Sequence, residues 1–142
     1  MQITRQAEYA VRTVLYLAKQ APGTSIPTAR IAKEQDIPSP FLAKIVLQLS
    51  ALGILHTSRG AKGGVQLAKP ADEISLLQIV EAIDGPIEIN NCVLEAGRCH
   101  QSRDCAVRVI WCDAYAKLAE RLSQTNFAQL ASNGFKPQES EG

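Results

Sequence analysis

The chain is 142 residues long, enough for one compact domain or a small domain with an extension, and this excludes a large multidomain enzyme. With 46% hydrophobic and 20% charged residues it can bury a core, yet its longest apolar runs fall far short of the roughly 18 residues needed to span a bilayer. The net charge of +1 averages two unlike parts: residues 1–70 hold nine Lys or Arg against three acids, while the remainder holds six against eleven. Such a split points to a polyanion-binding module joined to a segment with other work.

Apolar residues at Ile3, Ala7, Val11, Val14, Leu15 and Ala18 predict an amphipathic helix over residues 4–20, closed by Ala21-Pro22-Gly23. Pro27 and Thr28 open a short helix to about residue 35, with Ile31 and Ala32 inward. Asp36-Ile37-Pro38-Ser39-Pro40 reads as a turn that starts a third helix over about 40–52, with Ser39 as its N-cap and Gly53 just past its end. That helix buries Leu42, Ile45, Val46 and Leu49 and turns Ser39, Phe41, Lys44 and Gln48 the other way. Two short helices across a tight turn, the second with a polar and basic outer face, form a helix-turn-helix whose second helix can enter a major groove.

Ile54-Leu55-His56-Thr57-Ser58 and Val65-Gln66-Leu67-Ala68 alternate like strands about Arg59-Gly60-Ala61-Lys62-Gly63-Gly64, a glycine-rich turn with two cations. This is a hairpin wing. A phosphate loop would need Gly-Lys followed by Ser or Thr opening a helix, and here the glycines lead into a strand. Ser75-Leu76-Leu77-Gln78 is a capping box on a helix with Leu76, Leu77, Val80 and Ile83 inward, ending at Asp84-Gly85-Pro86. After a weakly periodic stretch, Val107, Ile110, Trp111, Ala114, Leu118 and Leu122 stripe a helix of about twenty residues. At roughly 30 Å it is longer than so small a core can cover, so its stripe reads as a dimer seam. Thr125 caps a last short helix through Leu130.

Four cysteines, Cys92, Cys99, Cys105 and Cys112, fall within 21 residues. Arg5, Glu8, Arg12 and Lys19 occupy the region where an export signal has an uninterrupted apolar stretch, so the expected compartment is a reducing cytoplasm. There, clustered thiols serve metal or redox chemistry more often than structural disulfides. Thiolates are the soft ligands that hold iron-sulfur clusters, and three in one loop can converge on one site. Zinc and uncoordinated reduced thiols are the other readings, although the paired C-x2-C knuckles typical of zinc are missing. Cys112 lies seven residues, or roughly 10.5 Å along a helix, beyond Cys105, so it reads as a packing residue. The only histidines are His56, in the wing strand, and His100, and no nucleophile–base pair or hydrolase motif appears, which argues against an enzyme.

The wing Ser58-Arg59-Gly60-Ala61-Lys62-Gly63-Gly64-Val65, with Ile3-Thr4-Arg5, Glu8-Tyr9-Ala10-Val11-Arg12, Ile37-Pro38-Ser39, Phe41-Leu42 and Leu52-Gly53, resembles the Rrf-two family of bacterial transcription regulators. Its members include IscR, NsrR, RirA and the cluster-free CymR. The resemblance covers nearly the whole chain. It implies a mainly α fold with a small β-hairpin: a winged helix-turn-helix DNA-binding domain over residues 1–85, whose first helix also contacts the partner subunit, and a cluster loop over 86–104. A dimerisation helix and short terminal helix follow over 105–131, then a disordered tail over 132–142. It also implies a homodimer on a near-palindromic double-stranded DNA operator, with no membrane partner, and a 4Fe-4S or 2Fe-2S cluster on Cys92, Cys99 and Cys105. Three residues after the last cysteine, where the IscR-like branch has a histidine ligand, this chain has Arg108. The ligand pattern therefore resembles the NsrR-like branch, with Glu8 from the second subunit as fourth ligand and His100 as the runner-up. Operator contacts are expected from Thr28, Ser39, Phe41, Lys44 and Gln48, and from Ser58, Arg59 and Lys62 of the wing. Such a protein represses transcription in answer to nitric oxide, redox state or iron supply; the alternative is a cluster-free, CymR-like regulator answering a small molecule or protein partner.

Overall fold

The computed structural model describes residues 2–61, 63–87 and 106–132. Helix α1 (Arg5–Ala18) begins at Thr4, whose hydroxyl accepts the Ala7 N–H at 3.2 Å. Thr4 is itself held from the far end of the domain, because the Asp84 carboxylate accepts both its N–H, at 3.1 Å, and its hydroxyl. Ala7, Ala10, Thr13, Val14 and Leu17 form the buried face of α1. Thr13 is tolerated there because its hydroxyl donates to the Tyr9 carbonyl at 2.8 Å, which leaves no orphan polar atom.

Helices α2 (Thr28–Gln35) and α3 (Ser39–Ala51) bury the residues their spacing predicted: Ile31 and Ala32 on one, Leu42, Ile45, Val46 and Leu49 on the other. The turn between them is made by Asp36 in the left-handed region at φ 53°, a conformation Asp tolerates better than bulkier side chains. Ser39 does not cap α3. Pro38 occupies the N-cap and supplies no side-chain bond, and Ser39 is already helical. Helix α3 ends as expected at Gly53, φ 74°, after which the Ile54 N–H reaches back to the Leu49 carbonyl at 3.0 Å.

Strands β1 (Leu55–Ser58) and β2 (Gly64–Leu67) pair antiparallel, Leu55 with Leu67 and Ser58 with Gly64. A third segment joins them. The Ile26 N–H donates to the Val65 carbonyl at 2.9 Å and the Val65 N–H to the Ile26 carbonyl at 2.8 Å, so the start of α2 is stitched to the wing. Helix α4 (Leu76–Asp84) begins with the Ser75 hydroxyl accepting the Gln78 N–H at 3.1 Å and buries Ile79 and Val80, with Leu76, Leu77 and Ile83 half-buried.

Helix α5 (Ala106–Ser123) packs on α4 but has no buried residue; Val107 and Ile110 of its stripe are exposed, as is Val109 beside them. Helix α6 (Phe127–Ala131) then returns to pack against α1. Asn126, rather than Thr125, caps it in a reciprocal box with Gln129; Thr125 is buried, its hydroxyl donating to the Arg121 carbonyl at 3.0 Å. Phe127 is fully buried in the core that contains Ala10, Val14, Ile74 and Ile79, and its N–H donates to the Ile74 carbonyl at 3.0 Å. Helix α6 thus completes the core that α1 starts. Among the described residues no helix is long and apolar enough to cross a membrane.

Candidate nucleic-acid interface

Helix α2, helix α3 and the wing meet in a groove of about 400 Å3 lined by Thr28, Ala29, Ser39, Ala43, Leu47, Ser50 and Thr57. A second hollow adjoins it, where Thr28 and Ala29 face Thr57, Ser58 and Gly64. Three of the expected DNA contacts, Thr28, Ser39 and Ser58, are therefore gathered on one surface. The Thr28 hydroxyl makes no hydrogen bond to another described residue, so capping does not occupy it; Pro27 takes the N-cap position of α2. The hydroxyls of Ser25 and Ser58 stand 3.5 Å apart across the same junction.

The glycines of the wing are steric requirements. A Cβ on Gly63 would lie 2.4 Å from the Ser58 carbonyl oxygen, and one on Gly64 would lie 2.4 Å from that of Ile26. Gly60 sits at φ 103°, and the turn closes with the Gly63 N–H on the Gly60 carbonyl at 2.9 Å. This turn carries Arg59, which is exposed and forms no ion pair among the described residues; Lys62 lies outside them.

The basic residues of the first half are not equivalent. Arg12 stacks its guanidinium 5.4 Å from the Tyr9 ring centre and donates to the Gln35 carbonyl at 3.0 Å, tying α1 to the end of α2. Arg30 is paired with Glu34 at 3.2 Å, and the Tyr16 phenol donates to the same carboxylate. The Tyr16 hydrogen bond, then Arg30, holds the Glu34 carboxyl below its usual range, and that same bond raises the phenol. Lys44 and Arg59 are exposed and without ion pairs among the described residues, as are Arg5, Lys19, Lys33 and Lys69.

Phe41 and Gln48 stand elsewhere. The Phe41 ring meets Tyr9 edge to face with centroids 6.0 Å apart, and the Gln48 carbonyl oxygen accepts from the Gln6 amide at 3.1 Å. Both lie on the flank of α3 beside α1, away from the groove that holds Ser39. Leu47 lines that groove and went unnoticed in the sequence because a leucine in a helix reads as core. Its position eight residues after Ser39 and four after Ala43 is the signal that would have found it.

Cys92, Cys99, Cys105 and His100 lie outside the described residues. Glu8 is exposed in the first turn of α1, and its carboxylate forms no hydrogen bond or ion pair among the described residues. Cys112 is half-buried on α5 with a free thiol. Among the described residues no three His, Cys, Asp or Glu side chains come together in a way that could hold a metal.

A helix-turn-helix with a hairpin wing, its hydroxyls Thr28, Ser39 and Ser58 lining adjoining hollows between α2, α3 and the wing, defines a DNA-binding regulator of the winged class. Residues 3–133 match the Rrf2 family, described as an iron-dependent transcriptional regulator, and the chain belongs to that family. A putative HTH-type transcriptional regulator of Mycobacterium tuberculosis is 32% identical over 131 residues, covering 92% of this chain and 81% of that one. The IscR of Erwinia tasmaniensis is 28% identical over 133 residues, covering 94% and 80%. The crystal structure of Staphylococcus aureus CymR superposes with a TM-score of 0.75 at 27% identity, covering 94% of this chain and 100% of that one.

Proposed function

We propose that this protein is a homodimeric repressor that binds a two-fold symmetric double-stranded DNA operator through α3 and the wing. The observation that carries this reading is the convergence of Thr28, Ser39 and Ser58 on one surface, with Lys44 and Arg59, exposed and without ion pairs among the described residues, following Ala43 and Ser58 of that surface in sequence. Hydroxyls and cations of this kind position a protein on phosphates, and a guanidinium at a wing tip suits the negative potential of a narrow minor groove. The homodimer is supported by α5, an 18-residue helix that buries nothing of its own while exposing Val107 and Ile110. Selection of bound sequences from a random duplex pool, followed by titration at several salt concentrations, tests the reading. One enriched near-palindrome with steep salt dependence is expected, and uniform affinity for all duplexes would overturn it.

The likeness to Staphylococcus aureus CymR along that protein's full length favours control without a cluster, through a small molecule or a protein partner. A second reading has its own observation. The thiols at 92, 99 and 105, with the exposed carboxylate of Glu8, are a donor set that fits an iron-sulfur cluster shared between subunits, and the family description is iron-dependent. Such a cluster would supply sensitivity to nitric oxide, oxidants or iron supply. Anaerobic purification with absorption spectra and assays for iron and labile sulfide divides the two. A colourless, iron-free regulator supports the first, and a brown protein whose operator affinity changes on cluster loss supports the second.

A further inference from the structure

The outward face of α3 is apolar where a polar reading helix would be expected. Leu47 is 72% exposed, the most open of the large hydrophobic side chains described, and Ala43, one turn earlier, is exposed beside it. Ser39, Ala43 and Leu47 follow at intervals of four, so they form one row along the helix, and all three line the groove shared with Thr28 and Thr57. Phe41 and Gln48 are engaged by Tyr9 and Gln6 on the α1 flank, and Leu47 stands about 120° round the helix from Phe41. The row is continuous with the hydroxyls of Thr28 and Ser39 and flanked by Lys44, so what docks there is what those groups hold.

We propose that Leu47 and Ala43 are the specificity-determining residues of this regulator, and that they read the C5-methyl groups of thymines in the major groove. The inference rests on the operator-binding reading and deepens it. The thymine methyl is the one apolar group that the bases present in that groove, and an aliphatic side chain is its natural partner. Ser39 and Lys44 fix register on the backbone, which carries no sequence information, while the apolar row tells T·A from the other pairs. Burying one methyl against Leu47 corresponds to about a four-fold gain in affinity, and two symmetric half-sites give about sixteen-fold.

The test begins from the site enriched in the random-pool selection and replaces each thymine in turn by deoxyuridine, which removes only the C5-methyl. Wild-type protein is expected to weaken about four-fold when the thymine of one half-site is replaced and about sixteen-fold when both half-sites are replaced. Leu47→Ala is expected to lose most of the sensitivity at the thymine that Leu47 reads and to keep the sensitivity at a thymine read by Ala43. The variant removes a side chain that stands in solvent, and its circular dichroism verifies the fold; the deoxyuridine series on wild type needs no variant at all. An enriched operator whose binding is indifferent to every replacement, or a Leu47→Ala protein that keeps the wild-type sensitivity, overturns the proposal and leaves operator binding standing. Failure to enrich any sequence overturns both.

Discussion

A side chain on Gly64 would collide with the carbonyl of Ile26, its Cβ only 2.4 Å from that oxygen. The close approach is what lets Ile26 and Val65 exchange two hydrogen bonds and fasten the wing to the segment that opens α2. Gly64→Ala is therefore expected to break both bonds and cost about 2 kcal/mol, at roughly 1 kcal/mol each. Gly60→Ala meets no neighbour within 4 Å and is expected to cost about 1 kcal/mol from its positive φ alone. Denaturant midpoints of the two variants check the order, and a Gly64→Ala midpoint equal to that of the wild type would show that the stitch contributes nothing.

Phe127 offers a sharper stability test. It is fully buried, although it lies 110 residues or more from its α1 neighbours Ala10 and Val14. Phe127→Ala is expected to cost about 3–5 kcal/mol through lost burial and the cavity left behind. A change within 0.5 kcal/mol in chemical denaturation would mean that α6 does not dock.

On α5 the expectation is the reverse. Ile110 is 64% exposed, so Ile110→Glu should leave the secondary structure of the subunit intact while placing a charge in the seam. Sedimentation at micromolar concentration should report monomer for the variant and dimer for the wild type. A dimer of unchanged affinity would remove α5 from the interface.

Salt dependence separates the cations. Arg59→Ala is expected to weaken operator binding and to lower the slope of log affinity against log salt by about one for each copy in the complex. Arg12→Ala acts through the Tyr9 stack and the Gln35 carbonyl, so it should reduce stability and leave that slope unchanged. Equal slopes for wild type and Arg59→Ala would place the wing off the phosphates.

Between Tyr16 and Glu34 the sign of the pH dependence is fixed by the shared hydrogen bond. The Glu34 carboxyl is held low, so this contribution is present above its unfolded value and is lost as pH falls through the lower folded one. The Tyr16 phenol is raised, so on the alkaline side the contribution persists below its unfolded value and is lost as pH rises through the folded one. Both groups are open to solvent, so titration is the readout and not stability. Tyr16→Phe should move the Glu34 midpoint back toward the ordinary carboxylate value by NMR, and an unmoved midpoint would exclude the bond.

Local patterns made most of this molecule legible from its residues. The helical spacing of Ile31, Ala32, Leu42, Ile45, Val46 and Leu49 marked the buried faces of α2 and α3, and Gly53 marked the stop, because periodicity and left-handed conformations are properties of neighbouring residues. The alternation on either side of Arg59 to Gly64 marked the wing for the same reason. What the chain order could not show is which partner claims each exposed position. Phe41 and Gln48 look as suited to a groove as Ser39, yet α1 reaches them first through Tyr9 and Gln6. Phe127 looks like part of a terminal appendage, yet it fills the core begun by α1. Those assignments depend on contacts between segments far apart in sequence, where packing and not spacing decides, and it was packing that left Leu47 on the outward face of α3 and the Val107 and Ile110 edge of α5 uncovered.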